Sequence, residues 1–458
     1  MKGQPITLDQ LSAVEPLLSE EERMVRDTVR RFVRERFLPK AGERFEREEF
    51  PVEMIPEIAS LGLLGAALTG YGCAGMSAVS YGLALAELEY GDSGLRSFVS
   101  VQGSLSMYPI WRWGSAAQKD RLLPGMAKGE IIGCFGLSEP DAGSDPGAMK
   151  TRARRDGNGW ILNGTKMWIT NAPLANVAVV WAKTDDGGQE SIRGFLVERG
   201  MKGFETPTIK GKMSLRASPT GELVLDGCRV PDENVLPEAL GLGAPLACLN
   251  QARFGISCAV LGAARACFET AVSYTQNRIA FGKPIAGKQL VQERLVEMAQ
   301  EIVKAEIMAL HFARLKDAGK ITPQQVSLCK RNNCKMALSV ARETRALLGG
   351  NGILLDYPAI RHALNLESVY TYEGTHEVHT LVLGRALTGF DAFLSAGAAE
   401  RRGDRAPRER AADVSRGDTL TGWTTAHRGR SRFSRSPSRR ARTRPSRSRT
   451  ASSSRSTR

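Results

Sequence analysis

A carboxylate set between an aromatic ring and a glycine, Tyr372-Glu373-Gly374-Thr375, is the stretch best suited to chemistry. It follows a glycine-rich turn, Gly349-Gly350-Asn351-Gly352, and precedes His376-Glu377 and an apolar run, Leu381-Val382-Leu383. Such a carboxylate can be desolvated, and the glycine lets a ligand approach the backbone. A base in that setting can remove a proton from carbon. The competing reading of Glu373 is a solvated carboxylate at a helix start, favoured by the helix dipole. A second candidate is Arg96-Ser97, after Glu89-Tyr90-Gly91-Asp92. A buried guanidinium there would suit a substrate carrying a distal carboxylate, which it binds through two parallel hydrogen bonds. A buried charge left unpaired would be costly. The alternative is a surface arginine paired with Asp92 or Glu89.

These residues need elements to hold them. From residue 19 to about 132 the pattern is helical. Ser19 and Glu22 form a capping box, and Val25, Val29, Phe32 and Val33 recur on one face. Further helices are expected at 52–61, 77–90, 97–111 and 116–128. Residues 133 to 237 change to short β-branched and aromatic runs such as Val177-Ala178-Val179-Val180-Trp181. Asp156-Gly157 and Asn163-Gly164 read as hairpin turns, so this part is all-β, sandwich- or barrel-like. From about 242 to 396 long helices return. Val291, Leu295, Met298, Ile302 and Ala305 make the seam of an antiparallel bundle, and Pro323 starts a helix that stops at Gly349-Gly350.

The chain has 458 residues, 42% apolar and 24% charged, as in a soluble globular protein of two or three domains. Its net charge of +14 is not spread evenly. Residues 397–458 hold 18 arginines, no lysine and five acids, a net of +13, which leaves +1 on residues 1–396. This Arg/Ser-rich tail is expected to be disordered. It reads either as an arm for nucleic acid or as a non-native extension, since arginine without lysine is what a GC-rich gene yields in the wrong frame. Eight cysteines without a CxxC pair, and five histidines, suggest neither a zinc site nor a disulfide framework, and fit a reducing compartment. No apolar run reaches about 18 residues, so no membrane span is expected. Residues 1–9 resemble neither a transit peptide nor a signal peptide, so the expected location is cytoplasmic; a mitochondrial matrix protein without its presequence would read the same.

Phe135-Gly136-Leu137-Ser138-Glu139-Pro140-Asp141-Ala142-Gly143-Ser144-Asp145 and Trp168-Ile169-Thr170-Asn171 are unremarkable alone. Together with Tyr372–Thr375, Arg278-Ile279-Ala280-Phe281-Gly282, Gln289 and Leu348-Gly349-Gly350-Asn351-Gly352, they resemble the acyl-CoA dehydrogenase family over about residues 15–395. The resemblance implies N-terminal helices, a central β-barrel and a C-terminal four-helix bundle, with FAD bound non-covalently, usually in a homotetramer. It implies electron-transfer flavoprotein as the acceptor. By the same resemblance Glu373 takes the α-proton of an acyl thioester while the β-hydride passes to the flavin. Phe135, Leu137, Ser138 and Ser144 would line the flavin and acyl-CoA cleft. Trp168 would pack against the flavin ring, with Ile169, Thr170 and Thr375 also in the cofactor set. Arg278, Phe281, Gln289, Gly349 and Gly350 would reach the FAD of a neighbouring subunit. Asn250, Arg253 and Gly374, with Ser144 and Thr170, would contact the substrate.

Glu87 to Leu105, Leu215-Arg216-Ala217-Ser218 and Lys330-Arg331-Asn332-Asn333-Cys334 further resemble the branch of the family that oxidises and decarboxylates glutaryl-CoA. On that resemblance Arg96 and Ser97 hold the distal carboxylate. Glu89 and Tyr372 join Arg96, Ser97 and Glu373 in a hydrogen-bonded network for loss of CO2. A short-chain acyl-CoA dehydrogenase of other specificity, an acyl-CoA oxidase, and a non-catalytic relative using the tail on nucleic acid are the other readings.

Overall fold

Two helices that carry site residues cross closely because a glycine lets them. The Ala78–Gly91 helix packs on the Gly243–Asn277 helix, and a Cβ on Gly262 would lie 1.8 Å from the Ala86 carbonyl oxygen. Any side chain there would push the pair apart. The computed structural model describes residues 5–185 and 191–393. The 397–458 tail lies outside the described residues, so the two readings of it are carried no further.

Helices occupy the chain up to Ala127, strands run from Gly133 to Leu240, and helices resume at Gly243. The Glu20–Phe32 helix starts at the expected box: Ser19 Oγ accepts from Glu22 N and Glu22 Oε2 accepts from Ser19 N. Its Val29 and Phe32, with Val33 just beyond, are buried against Leu85 and Leu88 of the Ala78–Gly91 helix. The expected 97–111 helix begins earlier, at Ser93, because Asp92 caps it by accepting from Gly94 N at 2.7 Å.

Among the described residues, the strands from Gly133 to Leu240 form one eight-stranded sheet, and Ile279–Ala280 pairs separately with Lys283–Pro284. In the Val177–Thr184 strand, Ala178, Val180 and Ala182 face an interior shared with Phe195, Val197, Leu223, Leu225 and Val230. Its alternate residues Val177, Val179 and Trp181 pack instead with Leu105, Met107 and Leu123 from the helices. One face therefore curls round its own core and the other lies on helices. Asp156-Gly157 turns the Arg152–Asp156 and Gly159–Thr170 hairpin as expected. Asn163-Gly164 does not turn. It is a bulge inside the Gly159–Thr170 strand, which pairs with the Thr220–Pro231 strand on both sides of it. Asn163 spends its turn-forming oxygen on Gly227 N, 2.8 Å away.

Gly243–Asn277, Gln289–Asp317, Pro323–Leu347, Pro358–Thr371 and His376–Thr388 complete the fold. Met298, Ile302 and Ala305 lie in the bundle core, with Val291 and Leu295 packed at its edge. The first helix is long and apolar enough to cross a membrane, but most of its apolar stretch is buried inside the protein.

A buried ion pair ties the two ends of the fold. Arg361 Nη1 donates to Asp92 Oδ2 at 2.6 Å and to the Gly91 carbonyl, and Asn365 Nδ2 donates to the same carboxylate at 3.0 Å. Removing one member of such a pair leaves a buried charge without its counter-ion. Arg361→Ala should cost about 3 to 5 kcal/mol of stability in urea titration; a loss below about 1 kcal/mol would contradict this role.

Candidate active site

Glu373 sits in a break between two helices. Pro358–Thr371 ends at extended Tyr372, and Thr375 opens His376–Thr388 by accepting from Val378 N at 3.1 Å. Between them Glu373 has φ 53° and Gly374 φ 92°. Left-handed backbone disfavours a glutamate by roughly 1–2 kcal/mol, so something must hold it. Two cations do. Arg253 Nε donates to the Glu373 carbonyl at 2.6 Å. Lys330 Nζ donates to the carbonyls of Tyr372 at 2.6 Å and Gly374 at 2.7 Å. Behind the turn, a Cβ on Gly374 would come within 2.9 Å of His379 Nε2.

Glu373 is half-buried, and its Oε2 is buried without a hydrogen-bond partner. Burial pushes its pKa above the ordinary glutamate value, against the pull of Arg253, Arg96 and Lys330. The solvated helix-start reading therefore does not hold. A desolvated, unpartnered carboxylate is a stronger base than one in water.

Arg96 is 1% exposed, which removes the surface-arginine reading. Its Nε donates to Glu89 Oε2 at 2.5 Å, and its Nη2 donates to Tyr372 OH. Ser93 Oγ donates to the other Glu89 oxygen at 2.6 Å. Burial works against the Arg96 charge, but Glu89 and Tyr372 outweigh it and hold the guanidinium protonated. Asp92, the other partner considered, is taken by Arg361. Ser97 Oγ beside it is buried without a partner. Glu89, Arg96 and Tyr372 thus form one hydrogen-bonded group although Arg96 and Tyr372 are 276 residues apart, whereas Ser97 and the Glu373 carboxyl, expected in the same network, make no hydrogen bond to it among the described residues.

The strand segment offers a flat surface. Trp168 is 59% exposed with φ 64°, inside a bulge between Lys166 and Ile169. An indole in a sheet is usually core; here the bulge turns it outward while Ile169 stays buried. Ser138 is brought beside it, since Met167 N donates to the Ser138 carbonyl at 2.9 Å. Thr170 is half-buried two residues on, and Ser144 is exposed. Phe135 and Leu137 have their side chains in the core, so only their main chain can meet a ligand. An outward indole offers a flat face that fits a planar redox ring.

Arg278, Phe281, Gln289, Gly349 and Gly350 are exposed, Phe281 at 94%. Gly349–Ile353 is tied to Tyr274, one turn before Arg278, by the Asn351 Nδ2 to Tyr274 OH bond of 3.0 Å. They lie on an outer edge and have no hydrogen bond to the Glu373 group among the described residues. Asn250 lies one turn before Arg253 on the same helix and is half-buried.

Two supporting lysines went without a role in the sequence. Lys330 is 1% exposed, and helical spacing sets it with buried Val326, Asn333 and Ala337, a charge on an inward face that the pattern displays. Lys166 is buried and donates to Glu139 Oε1 at 2.8 Å and to the Leu137 carbonyl at 3.1 Å. Burial brings the Lys166 ammonium down to about 8, against the pull of Glu139. Glu139 also accepts from Thr151 N and Lys150 N, which pins the 137–151 loop. The bulge beside Lys166 disguises its inward direction in the sequence.

Family models for the acyl-CoA dehydrogenase N-terminal, middle and C-terminal domains match residues 19–130, 134–228 and 240–388. The chain is similar to the glutaryl-CoA dehydrogenase of Mycobacterium smegmatis, 57% identical, with a TM-score of 0.83 over 85% of this chain and 100% of that one. Another structure, of a glutaryl-CoA dehydrogenase from Mycobacterium smegmatis in complex with FADH2, is 56% identical with the same TM-score and coverage. The mitochondrial short-chain specific acyl-CoA dehydrogenase of Rattus norvegicus is 36% identical over 80% of this chain and 90% of its own length. A structure described as the electron transferring flavoprotein of Acidaminococcus fermentans is 34% identical, with a TM-score of 0.77 over 81% of this chain and 98% of that one.

The turn that holds Glu373 can be tested at its glycine. Gly374→Ala adds strain at φ 92° and a contact with His379. It should lower stability by about 1 to 3 kcal/mol, read as a fall in the thermal midpoint. An unchanged midpoint would show that the backbone here is not constrained.

Proposed function

The chain belongs to the acyl-CoA dehydrogenase family, and on that premise we propose that it oxidises glutaryl-CoA and then decarboxylates the product to crotonyl-CoA and CO2. Membership makes it an FAD-dependent oxidoreductase acting on acyl-CoA thioesters. Bound FAD supplies the acceptor for the β-hydride. The observation that carries the finer reading is the buried Arg96, with Nε and Nη2 committed to Glu89 and Tyr372 and Nη1 left without a protein acceptor among the described residues.

The work of the chain's own residues follows from this arrangement. Glu373 removes the α-proton; its desolvation supplies the basicity, and the αL turn fixes the direction of approach. The Tyr372 and Glu373 carbonyls, held by Lys330 and Arg253, fix the peptide planes whose Glu373 and Gly374 N–H groups can meet a thioester oxygen that gains charge. Nη1 of Arg96, with Ser97 Oγ, receives the distal carboxylate. For decarboxylation the bond from Cγ to the carboxyl carbon breaks, CO2 leaves, and the electron pair delocalises into the unsaturated thioester. Glu373, protonated by the first step, returns its proton to Cγ, so charge and protons balance. The 57% identity to the M. smegmatis enzyme supports this substrate.

Two partners belong to the same proposal. The exposed Ile279, Phe281 and Leu290 form an apolar edge that suits a neighbouring copy of the chain, in a homotetramer whose subunits share FAD sites across it. An electron-transfer flavoprotein is the acceptor we favour; the A. fermentans likeness supports it.

Glutaryl-CoA and butyryl-CoA turnover, with CO2 collected, tests the substrate. Glutaryl-CoA should have the higher kcat/KM and release one CO2 per turnover; preference for butyryl-CoA would sink the reading. Arg96→Met should lower kcat/KM for glutaryl-CoA by about 10- to 10²-fold, the worth of one or two charged hydrogen bonds, and spare butyryl-CoA far more. Equal losses on both substrates would assign Arg96 to the fold instead. Glu373→Gln should keep its yellow flavin and bind acyl-CoA without turnover. In the parent, kcat should fall on the acid side as Glu373 is protonated, at a pH above the ordinary glutamate range.

A further inference from the structure

Three successive carbonyls, those of Tyr372, Glu373 and Gly374, accept hydrogen bonds from two buried or half-buried cations. The middle one goes to Arg253. The outer two go to a single amine, Lys330 Nζ. We propose that Lys330 is a positioning residue for the base: by bracketing Glu373 through both flanking carbonyls, it fixes the carboxylate's direction toward the substrate α-carbon. This rests on the reading of Glu373 as the base.

The geometry is specific to an amine. Rotating the Tyr372–Glu373 peptide plane would break one Lys330 bond and rotating the Gly374–Thr375 plane would break the other, while Arg253 holds the Glu373–Gly374 plane between them. Release of the strained φ of 53° therefore costs a charge-assisted hydrogen bond as well as a turn. Val326 and Ala337 on the same helix face are apolar and buried, so an unbranched apolar side chain could fill the space. Burial lowers the ammonium's pKa, so its retention is explained by what it touches.

The groups facing Lys330 can be named. Cys334 lies on its own helix, Tyr372 and Glu373 in the turn, and His376 and His379 on the last helix. Arg253 comes from the long helix and Arg96 from the N-terminal part. Glu373 is the anion in this set, and its own pKa is pulled down by Lys330 against the effect of burial. The lysine thus acts on the base by orientation and by charge.

Lys330→Met keeps the approximate volume and removes the donors. In the flavin-bound enzyme, kcat should fall by about 10²-fold, the effect of a small misplacement, while KM changes by less than about threefold. The acid limb of the kcat profile should move to higher pH, because ionised Glu373 has lost a neighbouring cation. Hydrogen exchange in the peptide containing residues 372–375 should speed up, with the Gly243–Asn277 helix unchanged. Lys330→Gln, which keeps a donor, should fall between parent and Lys330→Met in kcat. Parental kcat and parental 372–375 exchange in Lys330→Met overturn the proposal. So does a uniform rise in exchange across the protein, which marks a role in the fold alone. Glu373→Gln run alongside keeps the two readings apart. If it is inactive while Lys330→Met is parental, only the Lys330 assignment falls; if it is active, the base assignment falls and this proposal with it.

Discussion

A carboxylate that must take a proton from carbon has to be kept from water without being quenched by its own supports. A direct ion pair to Glu373 would favour the charged form and occupy the oxygen that needs to be free. The chain avoids this. Arg253 and Lys330 approach Glu373, but their hydrogen bonds go to backbone carbonyls, and Oε2 is left bare. Their charges still act through space, so burial raises the basicity of Glu373 while the cations keep ionisation within reach. The αL turn is what makes this possible, because it directs three successive carbonyls at the cations and the side chain away from them.

The rest of the fold serves that separation. Arg96, Arg253 and Lys330 come from three helices and Glu373 from the break between two others, and their spacing is set by packing rather than by sequence neighbours. Gly262 lets the helix bearing Glu89 sit against the helix bearing Arg253. Asp92 links the start of the Arg96 helix to Arg361, about three turns before Tyr372. Asn365 extends the same link to Leu215, whose N–H donates to it at 2.7 Å, so the 212–218 loop is fastened there too. A shift in any of these contacts would be felt at the Arg96–Tyr372 bond. The sheet contributes in a different way. Lys166 and Glu139 pin the loop before Trp168, and the bulge exposes the indole that a regular strand would have hidden.

Periodic and local features were legible from the sequence. The Ser19 box, the seam from Val291 to Ala305 and the Asp156-Gly157 turn all depend on residues within a few positions of one another. Asn163-Gly164 misled because its turn chemistry was outweighed by pairing on both flanks with a strand some 60 residues away. The Ser93 helix start was hidden because Asp92 as a cap is indistinguishable from Asp92 as a surface partner. For Arg96 both sequence readings named Glu89; burial decides between them, and burial is a property of the assembled core. Lys330 showed its inward position in the helical period, but its acceptors are main-chain atoms, and no sequence pattern records where a carbonyl points.

Arg96 also bears on how binding and release can be reconciled under the proposed reaction. A guanidinium with all its donors free would grip a carboxylate strongly, and a strongly held carboxylate is stabilised against leaving as neutral CO2. Here Glu89 and Tyr372 already take two of its nitrogens. Glu89 moreover offsets the positive charge that the substrate would otherwise meet. The remaining edge can orient a carboxylate and still favour it less than an unshared guanidinium would. Because Tyr372 is bonded to Arg96 and adjoins Glu373, the group that holds the departing carboxylate is tied directly to the turn that carries the group returning the proton. Specificity for a distal carboxylate and tolerance of its loss then follow from one sharing arrangement, with Arg96 kept charged by the same Glu89 that weakens its hold.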